Sequence, residues 1–147
     1  DGIRDKRGGL VGSEMCIRDS YYSGVGGQPD FIRALNDQAY GTPIIAIKSI
    51  THRGESKITK MHPPGIGLTA SAYDGVVIVT EYGIADLRGL TTGEKAMAIA
   101  RIAHPRFSDD FQRYVFEDQL FTKPTGYSLD KIPKGVILYD GSIKLTE

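Results

Sequence analysis

A glycine-rich segment at residues 24–28 is the first candidate for chemistry. Gly24, Gly26 and Gly27 fall within four positions and come just before a predicted helix. Because glycine has no side chain, the backbone N–H groups of such a loop are accessible to an anion or to a developing oxyanion. An ordinary tight turn explains the same spacing. The sequence therefore predicts either an anion-binding loop or a turn at this point.

Two familiar phosphate-binding motifs are excluded at this loop. A Walker loop requires Lys and then Ser or Thr after its last glycine, whereas Gly27 is followed by Gln28 and Pro29. A G-x-G-x-x-G dinucleotide fingerprint counted from Gly24 requires a glycine at the position of Pro29. An anion bound here would depend on backbone amides and on neither motif.

Four cations form a second candidate group, and they lie along one predicted strand–loop–strand stretch: Lys48, Arg53, Lys57 and Lys60. Their charge has the right sign to contact phosphate groups, and a lysine ammonium is a common phosphate ligand. Surface lysines are also often merely solvated, so the sequence leaves both interpretations open. Lys48 and Lys57 are the two candidates that we retain for ligand binding.

A carboxylate follows the strongest predicted strand. Residues 75–80, GVVIVT, form a continuous apolar run, and Glu81 comes directly after them. Open α/β sheets bind ligands at the carboxyl ends of their strands, so this position favours a role in shaping a site. The alternative is a structural carboxylate that caps a neighbouring turn.

Residue counts exclude several other classes of function. Lys and Arg total 18 and Asp and Glu total 18, so the net charge of zero argues against a polybasic surface for nucleic acid or anionic lipid. The single cysteine, Cys16, excludes an internal disulfide and a multi-thiolate zinc site. His52, His62 and His104 lack metal-ligand spacing, and no apolar run approaches the ~18 residues that span a bilayer. We expect no metal, no nucleic-acid or membrane partner, and a cytoplasmic location.

The elements that position these residues alternate between short apolar runs and helical patterns. Residues 43–50 and 75–80 are β-branched and apolar, which is typical of buried strands, and residues 56–61 alternate like an edge strand. This alternation of strands and helices predicts an α/β fold. The expected architecture is a partial, mostly parallel sheet flanked by helices.

Three helices are predicted between and after these strands. The first begins at Pro29, which fits the first helical position, and ends at Gly41; its expected buried stripe is Phe31, Ile32, Leu35 and Ala39. The second begins at a capping box formed by Thr91 and Glu94 and ends at 104–105; its expected stripe is Ala96, Ile99, Ala100, Ile102 and Ala103. The third is expected to be capped within 108–110 and to end at Pro124, with the stripe Phe111, Tyr114, Val115 and Leu120.

The two ends of the chain differ from the middle. Residues 1–20 hold eight charges and four glycines without an apolar period, and SEMCIRDS at 13–20 resembles translated adapter read-through. We expect a non-native or disordered arm at 1–20, one domain at 21–122, and a tail or the start of a following module at 123–147. Asp-Gly at 140–141, between alternating apolar residues, predicts a hairpin in that tail.

Four segments in order resemble a known family. They are YSGVGGQPDFIRAL at 22–35, GESKITKMHPPG at 54–65, VVIVTEYGIADLRGL at 76–90 and IARIAHPRF at 99–107. Together they resemble the C-terminal domain of the acetyl-CoA hydrolase/transferase family, the family I CoA-transferases. The resemblance implies a CoA-transferase-like (NagB/RpiA-like) C-terminal domain.

The resemblance also implies a reaction and its participants. In such enzymes a glutamate carboxylate attacks an acyl-CoA thioester and is later captured by CoA as a glutamyl thioester. The glycine loop would then form the oxyanion site, with Gly26 and Gly27 as backbone donors and Gly24, Val25 and Gln28 in contact with substrate. Acyl-CoA and small carboxylic acids are the implied partners, coenzyme A is a substrate, and no cofactor is permanently bound. The resemblance leaves open whether the parent enzyme is an oligomer. Lys48, Lys57 and Glu81 are assigned to CoA or substrate binding.

One departure from the family pattern limits what this chain does alone. The family's nucleophilic glutamate lies upstream of the glycine loop, and Glu81 matches the family's TEYG motif instead. The upstream carboxylates here are Asp1, Asp5, Glu14 and Asp19, all within the atypical arm. We therefore expect a fragment that is inactive by itself. The sequence does not decide whether the parent enzyme is a transferase or a hydrolase. The alternative to an enzyme is a non-catalytic CoA- or nucleotide-binding module or an assembly module.

Overall fold

The structure, a computed structural model, describes residues 16–17, 20–21, 27–61, 70–71, 73–117 and 132–139. The chain divides into two units. The first consists of Asp1–Pro43 and Met61–Gly75, and the second of Ile44–Lys60 and Val76–Glu147. Both strands and helices are present, so the predicted α/β class is confirmed.

The first unit contains a pair of two-residue antiparallel strands and one helix: β1 (Cys16–Ile17), β2 (Ser20–Tyr21) and α1 (Gln28–Asn36). The helix begins within one residue of the prediction. Its buried residues are Pro29 and Ile32, which lie three positions apart and share one face.

The predicted apolar stripe of α1 is wrong except at Ile32. Phe31 is 71% exposed, Leu35 is 38% exposed, and Ala39 lies exposed beyond the helix. A helix turns by about 100° per residue, so a buried face centred on Ile32 places Phe31 at its margin. The predicted end at Gly41 is also wrong, because the helix ends at Asn36 and the Asp37 amide donates to the Arg33 carbonyl.

The second unit is built on a four-stranded sheet whose strands follow one another in the order β3 (Ile44–Ala46), β4 (Val77–Thr80), β5 (Gly83–Asp86) and β6 (Val136–Leu138). Strands β3 and β4 are parallel, whereas β4–β5 and β5–β6 are antiparallel. The sheet is therefore mixed, and the prediction of a mostly parallel sheet is wrong. The reason is local: residues 81–82 form a two-residue turn that returns the chain beside β4, and the GIAD strand after it was not predicted.

Hydrogen bonds at both ends of the turn hold it in place. The Tyr82 amide donates to Thr80 Oγ1 at 3.1 Å, and the buried Thr80 hydroxyl donates to the Ile102 carbonyl at 2.6 Å. The Tyr139 amide donates to the Tyr82 carbonyl at 3.0 Å. Glu81 is thus held on a turn whose neighbours are tied to the core and to the segment after β6.

The predicted edge strand at 56–61 is not found. In this stretch the structure shows only an isolated antiparallel bridge between Ile50 and Ser56. The reason is that the chain reverses at 51–55: the Thr51 amide donates to the Glu55 carbonyl at 2.8 Å. Residues 49–57 therefore form a closed loop, which we call the 49–57 loop.

Helix α2 (Thr92–Arg101) confirms the predicted capping box. The Thr91 amide and hydroxyl both donate to Glu94 Oε2, at 2.8 and 2.9 Å, and the Glu94 amide donates to Thr91 Oγ1 at 3.4 Å. The helix packs on β5 and α3. Of the predicted stripe, Ala100, Ile102 and Ala103 are buried, while Ala96 and Ile99 are half-buried; the core also includes Met97 and Ala98.

Helix α3 (Pro105–Glu117) begins three residues earlier than predicted, so the cap at 108–110 is wrong. His104 begins the helix: its carbonyl accepts from the Phe107 and Ser108 amides, and its Nδ1 accepts from the Arg106 amide at 3.2 Å. Pro105 therefore starts this helix as well as following the end of α2. Ser108 is buried inside the helix, and its hydroxyl donates to the Ala100 carbonyl at 2.8 Å.

The α2–α3 interface forms the core of this unit. Ala100, Ala103 and Phe111 form a buried cluster, against which Ile58 and Phe107 pack. The predicted burial of Phe111 and Val115 is confirmed, and Tyr114 is half-buried. Predictions for Leu120, Pro124 and the hairpin at 140–141 lie outside the described residues.

The turn before β6 provides a stability test with a matched control. Gly135 and Gly54 have almost the same left-handed backbone, with φ of 80° and 79°. A Cβ at Gly135 would lie 2.5 Å from the Asp86 carbonyl oxygen, whereas one at Gly54 would meet nothing within 4 Å. Gly54→Ala should cost about 1–2 kcal/mol for the backbone alone, and Gly135→Ala about 1–3 kcal/mol more because β5 and β6 must separate. Urea unfolding of the two variants measures the difference, and equal costs would contradict this packing.

Candidate functional site

The glycine loop is described only at its C-terminal end. Gly24, Val25 and Gly26 lie outside the described residues. Gly27 is the N-cap residue of α1, with φ −87° and ψ −5°, and its carbonyl accepts from the Phe31 amide at 3.2 Å. Gln28 is half-buried and opens the helix. The position of Gly27 is that of a residue at a helix N-terminus, where backbone amides and the helix dipole favour negative charge.

Neither backbone strain nor packing among the described residues requires glycine at position 27. Its φ is negative, and an added Cβ would lie 3.7 Å from Phe31 Cε2, which is an ordinary van der Waals contact. No side chain caps the helix there. Glycine is itself a favoured N-cap residue, within a few tenths of a kcal/mol of Ser or Asp, so its place at the start of the helix is consistent with helix capping alone. Glycine also leaves the backbone amide at this position without a side chain in front of it.

Glu81 is held by Ser49. The Ser49 amide donates to Glu81 Oε2 at 2.8 Å, and the Ser49 hydroxyl donates to Oε1 at 2.7 Å. Ser49 is fully buried, whereas Glu81 is exposed. Each carboxylate oxygen thus accepts one hydrogen bond from the same residue and keeps further lone-pair capacity. The contact is that of a carboxylate capping a neighbouring loop, and it leaves room for a second donor.

Opposing effects act on the pKa of Glu81. Partial burial raises the pKa, while hydrogen bonds from Ser49 and from the Glu81 backbone amide lower it, as does the charge of His104. The lowering effects are larger together, so the pKa lies below its usual value of 4.5. Glu81 is therefore an ionised hydrogen-bond acceptor at neutral pH.

His104 lies beside this turn in an aromatic row. Its ring packs edge-on against Tyr82, with centroids 5.2 Å apart, and against Phe107 at 6.1 Å. Because Nδ1 accepts a backbone hydrogen bond, Nε2 is the nitrogen that carries the proton in the neutral ring. His104 thus connects the start of α3 with the turn that carries Glu81.

The 49–57 loop brings two of the predicted cations to the same place. Lys48 precedes Ser49, and the Lys57 amide donates to the Ser49 carbonyl at 2.9 Å, so both lysines flank the base of the loop. Both side chains are exposed, and the structure pairs neither with a carboxylate among the described residues. Arg53 is exposed in the 51–55 turn. The backbones of two lysines therefore adjoin Ser49, and its amide and hydroxyl bind the Glu81 carboxylate.

Lys60 differs from these cations because it is already engaged. Its Nζ lies 2.7 Å from Asp110 Oδ2 and 5.3 Å from the centre of the Tyr114 ring. It also borders a cavity of about 160 Å³ between residues 58–60 and helices α2 and α3. The cavity is well below the roughly 300–1,000 Å³ of small-molecule sites, so we interpret it as packing space.

The structure brings some predicted residues together and leaves others apart. Lys48, Lys57 and Glu81 belong to the second unit, where the backbones of both lysines adjoin Ser49, whereas Gly27 and Gln28 belong to the first. Ser49 was missed, although a serine near the end of an apolar strand is a signal for a capping hydroxyl. Among the described residues, no group of three or more His, Cys, Asp or Glu side chains is arranged to hold a metal ion. No described helix is long and apolar enough to cross a membrane.

Comparison with known proteins agrees with the fold and the motifs. Residues 8–115 match the family "Acetyl-CoA hydrolase/transferase C-terminal domain". The chain is 46% identical over 88 residues to 4-hydroxybutyrate coenzyme A transferase of Clostridium kluyveri, covering 59% of this chain and 20% of that protein. It is 39% identical over 119 residues to succinyl-CoA:acetate/propanoyl-CoA:succinate CoA transferase of Fasciola hepatica, covering 80% of this chain and 24% of that protein.

A solved structure shows the same fold. The crystal structure of 4-hydroxybutyrate CoA-transferase from Porphyromonas gingivalis is 34% identical with a TM-score of 0.53, covering 61% of this chain and 22% of that one. The fold and motifs define a part of a CoA-transferase-like protein. The chain belongs to the acetyl-CoA hydrolase/transferase family and matches its C-terminal domain. It spans about a fifth to a quarter of the length of the relatives named here.

The lowered pKa of Glu81 predicts a loss of stability in acid. At neutral pH the carboxylate is ionised in both the folded and unfolded chain, and its bonds to Ser49 stabilise the fold. As the pH falls below the usual value of 4.5, the unfolded state takes up the proton first, and the stabilisation is lost by the time the pH passes the lower folded pKa. Glu81→Gln does not titrate, so its urea midpoint should fall less than that of the parent chain from about pH 5 to about pH 3.

The pKa values of two other carboxylates are also lowered, and these two groups serve as the internal control. Hydrogen bonds from Arg88 lower the pKa of Asp86, and hydrogen bonds from Thr91 lower the pKa of Glu94. Both are unchanged in the Glu81→Gln variant, so the difference between the two curves reports on Glu81. Parallel curves would show that the Ser49 contact does not depend on the charge of Glu81.

Proposed function

We propose that the protein of which this chain forms the C-terminal domain transfers coenzyme A between short-chain carboxylic acids, or hydrolyses acyl-CoA. The observation that carries this proposal is the family match over residues 8–115 together with relatives that are named CoA transferases. Coenzyme A is then a substrate, and acyl-CoA and small carboxylic acids are the partners. We assign the domain itself to residues 21–122.

The proposed reaction proceeds through a glutamyl thioester. A glutamate carboxylate attacks the thioester carbonyl carbon, and the tetrahedral intermediate expels CoA thiolate to leave an acyl-glutamyl anhydride. The thiolate then attacks the glutamyl carbonyl, releases the first carboxylic acid, and forms glutamyl-CoA. In a transferase, a second carboxylate attacks the glutamyl carbonyl of glutamyl-CoA and expels the thiolate, which then attacks the acyl carbonyl of the new anhydride to give the new acyl-CoA and free glutamate. In a hydrolase, water attacks the glutamyl carbonyl instead and releases CoA and free glutamate. The nucleophile in this proposal is a glutamate outside the residues of this chain.

The glycine loop takes the role of oxyanion donor in this scheme. The thioester carbonyl oxygen gains negative charge in the tetrahedral intermediate, and backbone amides at Gly26 and Gly27 would stabilise it. Support comes from Gly27: it lies at a helix N-terminus, and no strain or packing among the described residues requires glycine there. Gly24, Val25 and Gln28 complete the segment that contacts the substrate.

The second unit supplies the proposed contacts to the rest of the CoA molecule. Lys48 and Lys57 are exposed cations on either side of Ser49, a placement that suits the phosphates of CoA. Glu81 is an ionised acceptor with free lone pairs, so it suits a donor such as an amide N–H of the pantetheine arm. The Glu81 carboxylate would repel phosphate. The two lysines are therefore assigned to the phosphates of CoA, and Glu81 is assigned to an amide N–H of the pantetheine arm.

The test of the proposal is a transfer assay on the protein that includes the upstream half. Acetyl-CoA with succinate should give succinyl-CoA and acetate, and the 147-residue chain alone should show no transfer. Gly27→Val should lower kcat by about 10²–10³-fold with only a small loss of thermal stability, because the β-branched side chain obstructs the approach of the carbonyl oxygen but only weakens the start of the helix.

Arg33→Val is the matched control for this variant. It places the same side chain at an exposed position of α1, so it carries a comparable cost in helix propensity away from the loop. Full turnover of Gly27→Val would remove Gly27 from the oxyanion site. Binding of CoA without any transfer or hydrolysis by the longer protein would favour a non-catalytic CoA-binding module.

A double substitution tests the phosphate contacts. Lys48→Gln with Lys57→Gln should raise KM for acetyl-CoA about tenfold, which corresponds to about 1.4 kcal/mol, and leave kcat nearly unchanged because the phosphates do not react. Added salt should weaken acetyl-CoA binding by the parent more than by the variant. Arg113→Gln, which removes an exposed charge from α3, is the control. An unchanged KM with an unchanged salt dependence would show that these lysines are only solvated.

A further inference from the structure

Ser49 uses both of its hydrogen-bond donors on one carboxylate. Its amide and hydroxyl bind the two different oxygens of Glu81, at 2.8 and 2.7 Å, across 32 positions of sequence. The donor residue is fully buried and the acceptor is exposed. A carboxylate held at both oxygens by one rigid residue cannot rotate freely about its terminal bond, so its remaining lone pairs point in fixed directions.

Another buried serine shows what a purely structural contact looks like in this fold. Ser108 is inside α3, its hydroxyl donates to the Ala100 carbonyl, and its Oγ accepts from Gln112 Nε2 at 2.9 Å. All three partners are buried. Ser49, by contrast, directs both donors toward an ionised group at the surface. The two buried serines therefore differ in the kind of acceptor that their hydroxyl groups bind: a backbone carbonyl for Ser108 and a surface carboxylate for Ser49.

We propose that Ser49 is a positioning residue for the acyl-CoA site: it orients the ionised Glu81 and fixes it relative to the cations at the base of the 49–57 loop. This inference rests on the proposed function. The same residue accepts the Lys57 amide at its carbonyl and follows Lys48 in the chain. One buried serine thus joins the Glu81 carboxylate to the stretch of backbone from which both lysines extend.

The orientation of Glu81 is measured in the 147-residue chain without any assay of activity. The carboxyl ¹³C shift of Glu81 is followed against pH in the parent, in Ser49→Ala and in Ser49→Thr. Ser49→Ala removes the hydroxyl donor, so the pKa of Glu81 should rise, whereas Ser49→Thr keeps both donors and should restore the parent value. Ser108→Ala is the matched control, because it removes a buried serine hydroxyl that bonds to the Ala100 carbonyl and to Gln112 and not to Glu81, so it should leave the Glu81 pKa unchanged.

His104 is the titratable group beside Glu81, and its own titration is separated by following its ring resonances. A second measurement avoids substitution altogether. In the parent chain, the Ser49 amide proton should shift with the same midpoint as the Glu81 carboxyl, because it donates to that carboxylate. Absence of that shift, or a Glu81 pKa unchanged by Ser49→Ala, would overturn the inference even if one variant failed to fold.

Activity of the longer protein separates this inference from the function on which it rests. Ser49→Ala should lower kcat/KM for acetyl-CoA about tenfold, and Ser49→Thr should recover most of it. If the Glu81 pKa responds to Ser49→Ala but kcat/KM does not, the positioning contact exists and its role in the acyl-CoA site is wrong. If the longer protein neither transfers nor hydrolyses CoA, the proposed function fails while the titration result stands on its own.

Discussion

Two hydrogen bonds between Ser49 and Glu81 connect the 49–57 loop to the sheet, and the arrangement of the second unit's candidate residues depends on them. The loop closes through its own backbone, but that closure does not attach it to β4. The buried serine provides a side-chain attachment to the turn after β4, and the exposed carboxylate stays ionised because water still solvates its outer side. A fully buried carboxylate would require more donors, since desolvation of the charged form is expensive.

The turn that carries Glu81 explains why the sheet is mixed. Thr80 and Gly83 pair directly across two turn residues, which forces β5 to run antiparallel to β4. The Thr80 hydroxyl fixes the turn to the core through the Ile102 carbonyl. A Cβ at Gly83 would lie 2.5 Å from the Ile137 carbonyl oxygen, so glycine also permits β6 to approach β5. One short segment, TEYG, therefore ends a strand, reverses the chain and presents a carboxylate.

Sequence reasoning located what depends on local signals. The capping box of α2 and the apolar run of β4 can each be recognised from neighbouring residues in the sequence, and both are confirmed. The start of α3 was missed because Pro105 can end one helix or start another, and only the amide bonds to His104 show that it starts one. Ser49 could not be assigned a partner, since its contact with Glu81 spans 32 positions and depends on the parallel pairing of β3 with β4. The lysines at 48 and 57 were identified by charge, but their placement around Ser49 required the loop closure.

Neither the backbone angles nor the packing of the described residues requires glycine at position 27. Two other glycines are required by the geometry around them. At Gly41 a Cβ would overlap the Leu35 carbonyl oxygen, and at Gly135 the backbone is left-handed. Gly27 shows neither cause among the described residues, and an alanine would fit in ordinary contact with Phe31. Glycine is a favoured N-cap residue that costs only a few tenths of a kcal/mol against Ser or Asp, so helix stability permits it here without demanding it. In the proposed function, glycine at this position leaves the backbone amide accessible to the thioester oxygen as that oxygen becomes an oxyanion.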